Sequence, residues 1–303
     1  MGNPVFNEQR IREMKQQSGD YNSYNNHNYD YNNTNHNNNY NNNYSNNNYN
    51  NNYYNTSMNS TINNQEVMTM NGTIGKIFIL ITLVALSACT YLSVFTGTNV
   101  LYDTVYQNNT MYKLIENQSM YAIFASIAAF ILALVIIFKP KLAPVLSIIY
   151  AVLEGVVLGF ISATYAVKYD GIVGAALTST ICVVFAMLLL YKLRILQATQ
   201  GFKRIIFTAT ASIALLYLGV FIASFFNVNM EWFFGSSNLS IGISIVVIIV
   251  AALNLIIDFD NIELGSKSDL PKYMEWYAAF SLLITIIWIY IEILRLLAKL
   301  RNR

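Results

Sequence analysis

The sequence has 303 residues, 55% of them hydrophobic and 11% charged, with a mean hydropathy of +0.39. Soluble domains carry about 25% charged residues, so this balance excludes an ordinary soluble domain and points to a membrane. The formal net charge of +2 is too small for a nucleic-acid binder.

The chain opens on a short polar segment, residues 1–18, expected on the cytoplasmic side. Position 6 is Phe6 where N-myristoylation prefers Ser or Thr, so no lipid anchor is expected there. The first apolar run begins too late for a signal peptide. Residues 19–71 form an Asn/Tyr-rich low-complexity tail, nearly pure Asn and Tyr over 19–57. Such a segment buries too little apolar surface to offset its ordering entropy, so it is expected to be disordered. It reads either as a prion-like interaction segment, since stacked Asn and Tyr favour cross-β assembly, or as a compositional expansion. Both histidines, His27 and His36, lie in it, so no histidine-based metal site or proton relay is expected in the membrane.

Residues 72–303 carry seven apolar stretches: 74–95, 120–138, 142–165, 171–191, 204–226, 239–257 and 274–297. A helix rises about 1.5 Å per residue, so about 20 apolar residues cross the hydrocarbon core. The predicted fold is therefore all-α, a seven-helix transmembrane bundle behind a disordered tail. Pro140 and Pro271 punctuate the breaks. Cys89 and Cys182 both fall inside apolar runs and read as small buried hydrophobes, with no disulfide framework or metal site implied.

Loop charge orients the chain. With the N-terminus in the cytoplasm, the inner segments hold Arg10, Arg12, Lys15, Lys139, Lys141, Lys192, Arg194, Lys203, Arg204, Lys267 and Lys272. The outer loops hold Lys113 and Lys168. The last span breaks the rule, because crossing places Arg295, Lys299, Arg301 and Arg303 outside. Either that short basic tail is translocated, or the last segment does not cross simply.

A carboxylate inside a bilayer costs a few kcal/mol or more, so each one needs a reason. Glu154 sits mid-way along the third stretch, next to the small-xxx-small pair Gly155 and Gly159, and is expected to face the bundle interior. Asp258 and Asp260 end the sixth stretch, followed by Glu263; Glu275 opens the seventh, and Glu292 lies three residues before Arg295. Asp258, Asp260 and Glu275 flank one short hairpin and could cluster at its mouth. Clustered carboxylates repel and exchange protons near neutrality, and several oxygens together suit Ca²⁺, which makes Asp258 and Asp260 candidate ligands. The plainer alternatives are interfacial charges for Asp258, Asp260 and Glu263, an i,i+3 pair with Arg295 for Glu292, and an interface anchor with Trp276 for Glu275.

The run Tyr150-Ala-Val-Leu-Glu-Gly-Val-Val-Leu-Gly159, the stretch Asp258-Phe-Asp-Asn-Ile-Glu263, Met274-Glu-Trp-Tyr-Ala-Ala-Phe280 and Tyr290-Ile-Glu-Ile-Leu-Arg295 together resemble the Bax inhibitor family, most closely its bacterial branch. Asn3-Pro-Val-Phe6 is similar to the opening of that branch, with the Asn/Tyr tail as an insertion. The resemblance implies a seven-helix bundle with the last helix near its centre. It also implies a pH-dependent Ca²⁺ leak regulated by paired acids on the last two helices. Asp260 matches the first acid of that pair. The second falls near Leu283–Thr285 by separation along the chain, where there is no carboxylate, and on Glu292 by local pattern.

The leading expectation is thus a pH-sensitive Ca²⁺ leak in the plasma membrane, with Asp258, Asp260, Glu292, Glu154 and Glu275 as gating candidates and no cofactor beyond the transported ion. The alternative is a non-transporting protein that binds and restrains another membrane protein, such as a membrane protease. The spans carry no HExxH, GxSxG or intramembrane protease pattern, so no enzymatic activity is expected. The absence of Lys between Met274 and Leu297 excludes a retinal Schiff base there.

Overall fold

The computed structural model describes residues 66–95, 108–226, 233 and 235–303. The N-terminal segment, the tail through residue 65 with its histidines, and Arg10, Arg12 and Lys15 lie outside the described residues. So does the side chain of Lys113.

Lipid offers no hydrogen bonds, so a spanning backbone must satisfy its N–H and C=O groups within itself. The seven apolar stretches accordingly fold as α1 (Met70–Phe95), α2 (Asn108–Phe138), α3 (Ala143–Lys168), α4 (Ile172–Lys192), α5 (Gln200–Ser224), α6 (Asn238–Lys267) and α7 (Met274–Arg301). All seven are long and apolar enough to cross a membrane. Local chemistry sets where they begin. A 3-10 turn, Pro140–Leu142, leads into α3, which carries Pro144 in its first turn, where a missing N–H costs nothing. Thr199 caps α5 by accepting from the Phe202 N–H at 3.2 Å, and Ser237 caps α6 by accepting from the Ser240 N–H at 3.2 Å.

The last helix is the core. α7 is the most buried span and packs against α1, α3, α4 and α6. α2 leans on α3, and α5 on α6. The outward faces carry Phe124, Phe130, Phe185, Leu215 and Phe221, all exposed, as a lipid-facing surface requires. Cys89 and Cys182 are also exposed on this outer surface rather than buried: apolar surroundings along the chain do not tell a lipid-facing position from a core one.

α1 and α3 approach closely at Gly155 and Gly159. A Cβ on Gly155 would stand 2.6 Å from both the Ser87 Cβ and the Val84 carbonyl oxygen, and one on Gly159 would stand 2.9 Å from the Tyr91 ring. The Ser87 hydroxyl donates to the Val152 carbonyl at 2.7 Å across this contact. Small residues at this spacing let two backbones meet without a hydrophobic driving force between them.

The seven helices alternate in direction, so α7 ends opposite the point where α1 begins. Arg301 Nη1 bonds the Asp170 carbonyl between α3 and α4, and Asn302 Nδ2 donates to Ser236 Oγ at 3.0 Å. α7 therefore runs the length of the bundle, and its basic end lies at the far end. The near end is where α1 starts. Residues 66–71, counted with the tail in the sequence, are packed here. Met68 is buried and donates its N–H to the Leu270 carbonyl at 2.7 Å, while Val67 pairs with Pro271 as an isolated β-bridge.

Candidate functional site

The buried polar chemistry lies along α6 and α7, and the acids there do not form one cluster. Asp258 stands about 14 Å inside the near end of α6, taking nine residues at 1.5 Å each. It is buried at 7% exposure and reaches α7, where Ser281 Oγ donates to Oδ1 at 2.8 Å and Thr285 Oγ1 donates to Oδ2 at 2.6 Å. Ser281 and Thr285 are one helical turn apart, so both hydroxyls fall on one face. Among the described residues no cation stands within ion-pair distance of Asp258.

Asp260 is two residues on, rotated by about 200° around the helix, and therefore faces another neighbour. Its Oδ2 pairs with Lys203 Nζ of α5 at 2.5 Å. Glu263 accepts from the Tyr191 hydroxyl of α4 at 2.5 Å and pairs with Lys267 one turn later. Each acid of the stretch 258–263 thus finds its partner on a different helix. The expected cluster at the hairpin mouth does not form, because consecutive helical positions point apart.

Glu275 is fully buried at the near end. The Thr69 N–H and hydroxyl both donate to Oε1 at 2.8 Å, Lys272 Nζ lies 3.3 Å from Oε1, and Lys76 of α1 pairs with Oε2. The Lys76 ammonium also sits 5.5 Å from the Trp276 ring centre. Gly72 makes room for this carboxylate: a Cβ there would stand 2.2 Å from Oε1. The residue is a lock between the strap before α1 and the α6–α7 hairpin.

Glu292 belongs to the far half of α7. Its Oε1 accepts from the Tyr217 hydroxyl of α5 and from Arg295 Nη1, the latter at 2.8 Å, while Arg295 Nη1 also donates to the Tyr217 oxygen at 2.9 Å. The i,i+3 pair is present, and Oε2 is buried without a hydrogen-bond partner. Glu154 is half-buried and bonded to Tyr150 one turn earlier, whose ring meets Phe280 of α7 edge-on at 5.0 Å.

Reading the sequence alone missed the partners: Lys76, Thr69, Lys203, Tyr191, Tyr217, Ser281 and Thr285. Ser281 and Thr285 carried a signal, being i,i+4 hydroxyls in an otherwise apolar helix. Among the described residues no group of three or more His, Cys, Asp or Glu side chains could hold a metal ion together. Asp258 with Ser281 and Thr285 is the arrangement that could receive a proton or a passing cation, offering two carboxylate and two hydroxyl oxygens.

These features define a multi-pass membrane protein whose central last helix is tied to its neighbours by separately partnered buried acids. The family described as Bax inhibitor 1 like matches residues 3–302, essentially the whole sequence, and the chain belongs to that family. Neither a curated protein nor a solved structure matches this sequence.

Proposed function

We propose that the chain is a passive cation leak that conducts Ca²⁺ across the plasma membrane, with its N-terminus in the cytoplasm, and that protonation of Asp258 sets its conductance. One observation carries the proposal: a buried carboxylate joins α6 to α7 through hydroxyls alone, with no cation to neutralise it among the described residues. An ionised Asp258 accepts both O–H groups and holds the two helices together. A protonated one loses its charge and gives up one acceptor site, so the contact loosens. Conductance therefore rises as pH falls. Ca²⁺ takes six to eight oxygens, and the four offered here leave the rest to water, which suits passage rather than storage. The resemblance in sequence puts the first gating acid at Asp260, but Asp260 is engaged with Lys203 and only Asp258 reaches α7. Catalysis and a resident cofactor form no part of this function.

The test is Ca²⁺ flux into dye-loaded liposomes carrying the purified chain, followed across pH. Asp258→Asn should flatten the pH profile at its acidic level, while Asp260→Asn should retain it. Absent flux at every pH, or an unchanged profile in Asp258→Asn, refutes the proposal. Absent flux together with co-purification of a membrane protease would favour a non-transporting regulator instead.

A further inference from the structure

At the far end, a cavity of about 360 Å³ opens between α3 and α7. Its wall includes Tyr165, Lys168, Tyr169, Arg295, Lys299 and Asn302, and no carboxylate among the described residues. The volume falls within the range of small-molecule sites.

Among the described residues, charge around this cavity is predominantly positive. Arg295 is matched by Glu292. Lys299 is buried at 5% exposure, and its three donors go to the Phe233 carbonyl at 2.9 Å, the Ser240 carbonyl at 3.2 Å and the Ser244 hydroxyl at 2.9 Å. Its hydrogen bonds are satisfied, and among the described residues no carboxylate forms an ion pair with it. Lys168, exposed at the end of α3, has no ion pair or hydrogen bond among the described residues. Among the described residues neither Lys299 nor Lys168 has an ion-pair partner, and both line one space, where a cation without a counter-charge is costly.

We infer that this cavity binds a phosphoryl anion. Arg295 spends Nη1 on Glu292 and Tyr217 and also meets the Tyr165 hydroxyl, and a guanidinium has five N–H groups, so donors remain for a ligand at the wall it forms. A planar donor fork beside ammonium groups matches a tetrahedral, multiply charged oxyanion better than a single carboxylate. Tyr165, Tyr169 and Asn302 add neutral donors. The space exceeds what the oxyanion alone needs, leaving room for a substituent. Lys168 ends α3 and Asn302 follows α7, so the mouth lies at the end of two spans, where the headgroup region of a bilayer would stand. The phosphoryl group can therefore belong to an anionic lipid headgroup or to a soluble phosphate compound. Glu292 acts here as a positioning residue that holds Arg295 at the wall.

The experiment uses the full chain, delipidated in detergent, and calorimetric titration with inorganic phosphate and separately with dihexanoyl phosphatidylglycerol. Lys168→Glu should weaken binding by about fivefold or more, the scale of a reversed partly exposed charge. Lys168→Arg should restore it, and Arg303→Glu, a far-end charge outside the cavity, should leave it unchanged. Binding of inorganic phosphate with this pattern supports the site and points to a soluble ligand. Binding of the lipid alone supports it and points to the membrane. Failure of both probes to saturate wild-type protein, or equal weakening by Lys168→Glu and Arg303→Glu, overturns the inference. Neither failure bears on Ca²⁺ flux, which involves the other half of α7.

Discussion

Gly72→Ala is the sharpest available perturbation of the near end. The added Cβ would fall 2.2 Å from Glu275 Oε1, 2.5 Å from Oε2 and 2.6 Å from Cδ. None of these separations is tolerable, so the carboxylate must move. It cannot move freely, because Thr69, Lys76 and Lys272 all hold it and its side chain is fully buried. Breaking a buried ion pair costs about 3–5 kcal/mol when the remaining charge has no recourse to water. Here the Lys76 and Lys272 side chains are 16% and 39% exposed, so both lysines retain some hydration. The expected loss is then about 2–3 kcal/mol, or on the order of 5–10 °C in Tm, after discounting for that exposure. The assay is thermal unfolding in detergent, read by loss of the monodisperse peak on size exclusion. Gly75→Ala is the control, since nothing lies within 4 Å of its added Cβ and Ala favours helix by about 1 kcal/mol over Gly. The decisive comparison is Gly72→Ala in a Glu275→Ala background, where the clash is gone and the added methyl should cost nothing further. Equal stability of Gly72→Ala and Gly75→Ala, or additive losses in the double variant, would refute the steric lock.

Other expectations address the remaining contacts. Gly155→Leu should lower Tm by more than Gly174→Leu, because the first drives a side chain into the Val84 carbonyl and the second meets open space. Lys203→Met should cost about 1–2 kcal/mol by leaving Asp260 unpaired at 21% side-chain exposure, and Lys203→Met with Asp260→Leu should recover most of it. In a Cys89→Ser, Cys182→Ser background, a cysteine at Arg303 should react with an impermeant maleimide from the side opposite a tag on the N-terminal tail; labelling of both from one side would contradict a crossing α7.

The helices were legible because a run such as Leu239–Ile257 is too long and too apolar to be anything else in water or lipid. Their ends were less so. α6 continues ten residues past Ile257 through Asp258, Asp260 and Glu263, since a hydropathy window stops at the first charges while the hydrogen-bond ladder does not. The identities of the candidate acids were legible too, because a charge in an apolar run stands out. Their pairing was not. A helix that is apolar on every side gives no sign of its rotation, so nothing in the sequence said that Asp258 faces α7 and Asp260 faces α5. Spacing offered a partial clue: residues two apart on a helix do not share a face. The partners Lys76 and Thr69 lie roughly two hundred positions from Glu275, with separations of 199 and 206 residues, a distance no local pattern spans.

That separation has a consequence for assembly. α1 is the first span to reach the membrane, and Lys76 enters with it. The carboxylate that neutralises Lys76, and the Leu270 carbonyl and Pro271 that receive the strap, arrive with the last hairpin. Until α7 inserts, the Lys76 ammonium must reach back to the headgroup layer on its own flexible stem, and α1 holds its depth only loosely. Arrival of Glu275 fixes that depth and joins the first span to the last. A chain that stops after six spans therefore lacks both the carboxylate that pairs with Lys76 and the Leu270 carbonyl and Pro271 that receive the strap.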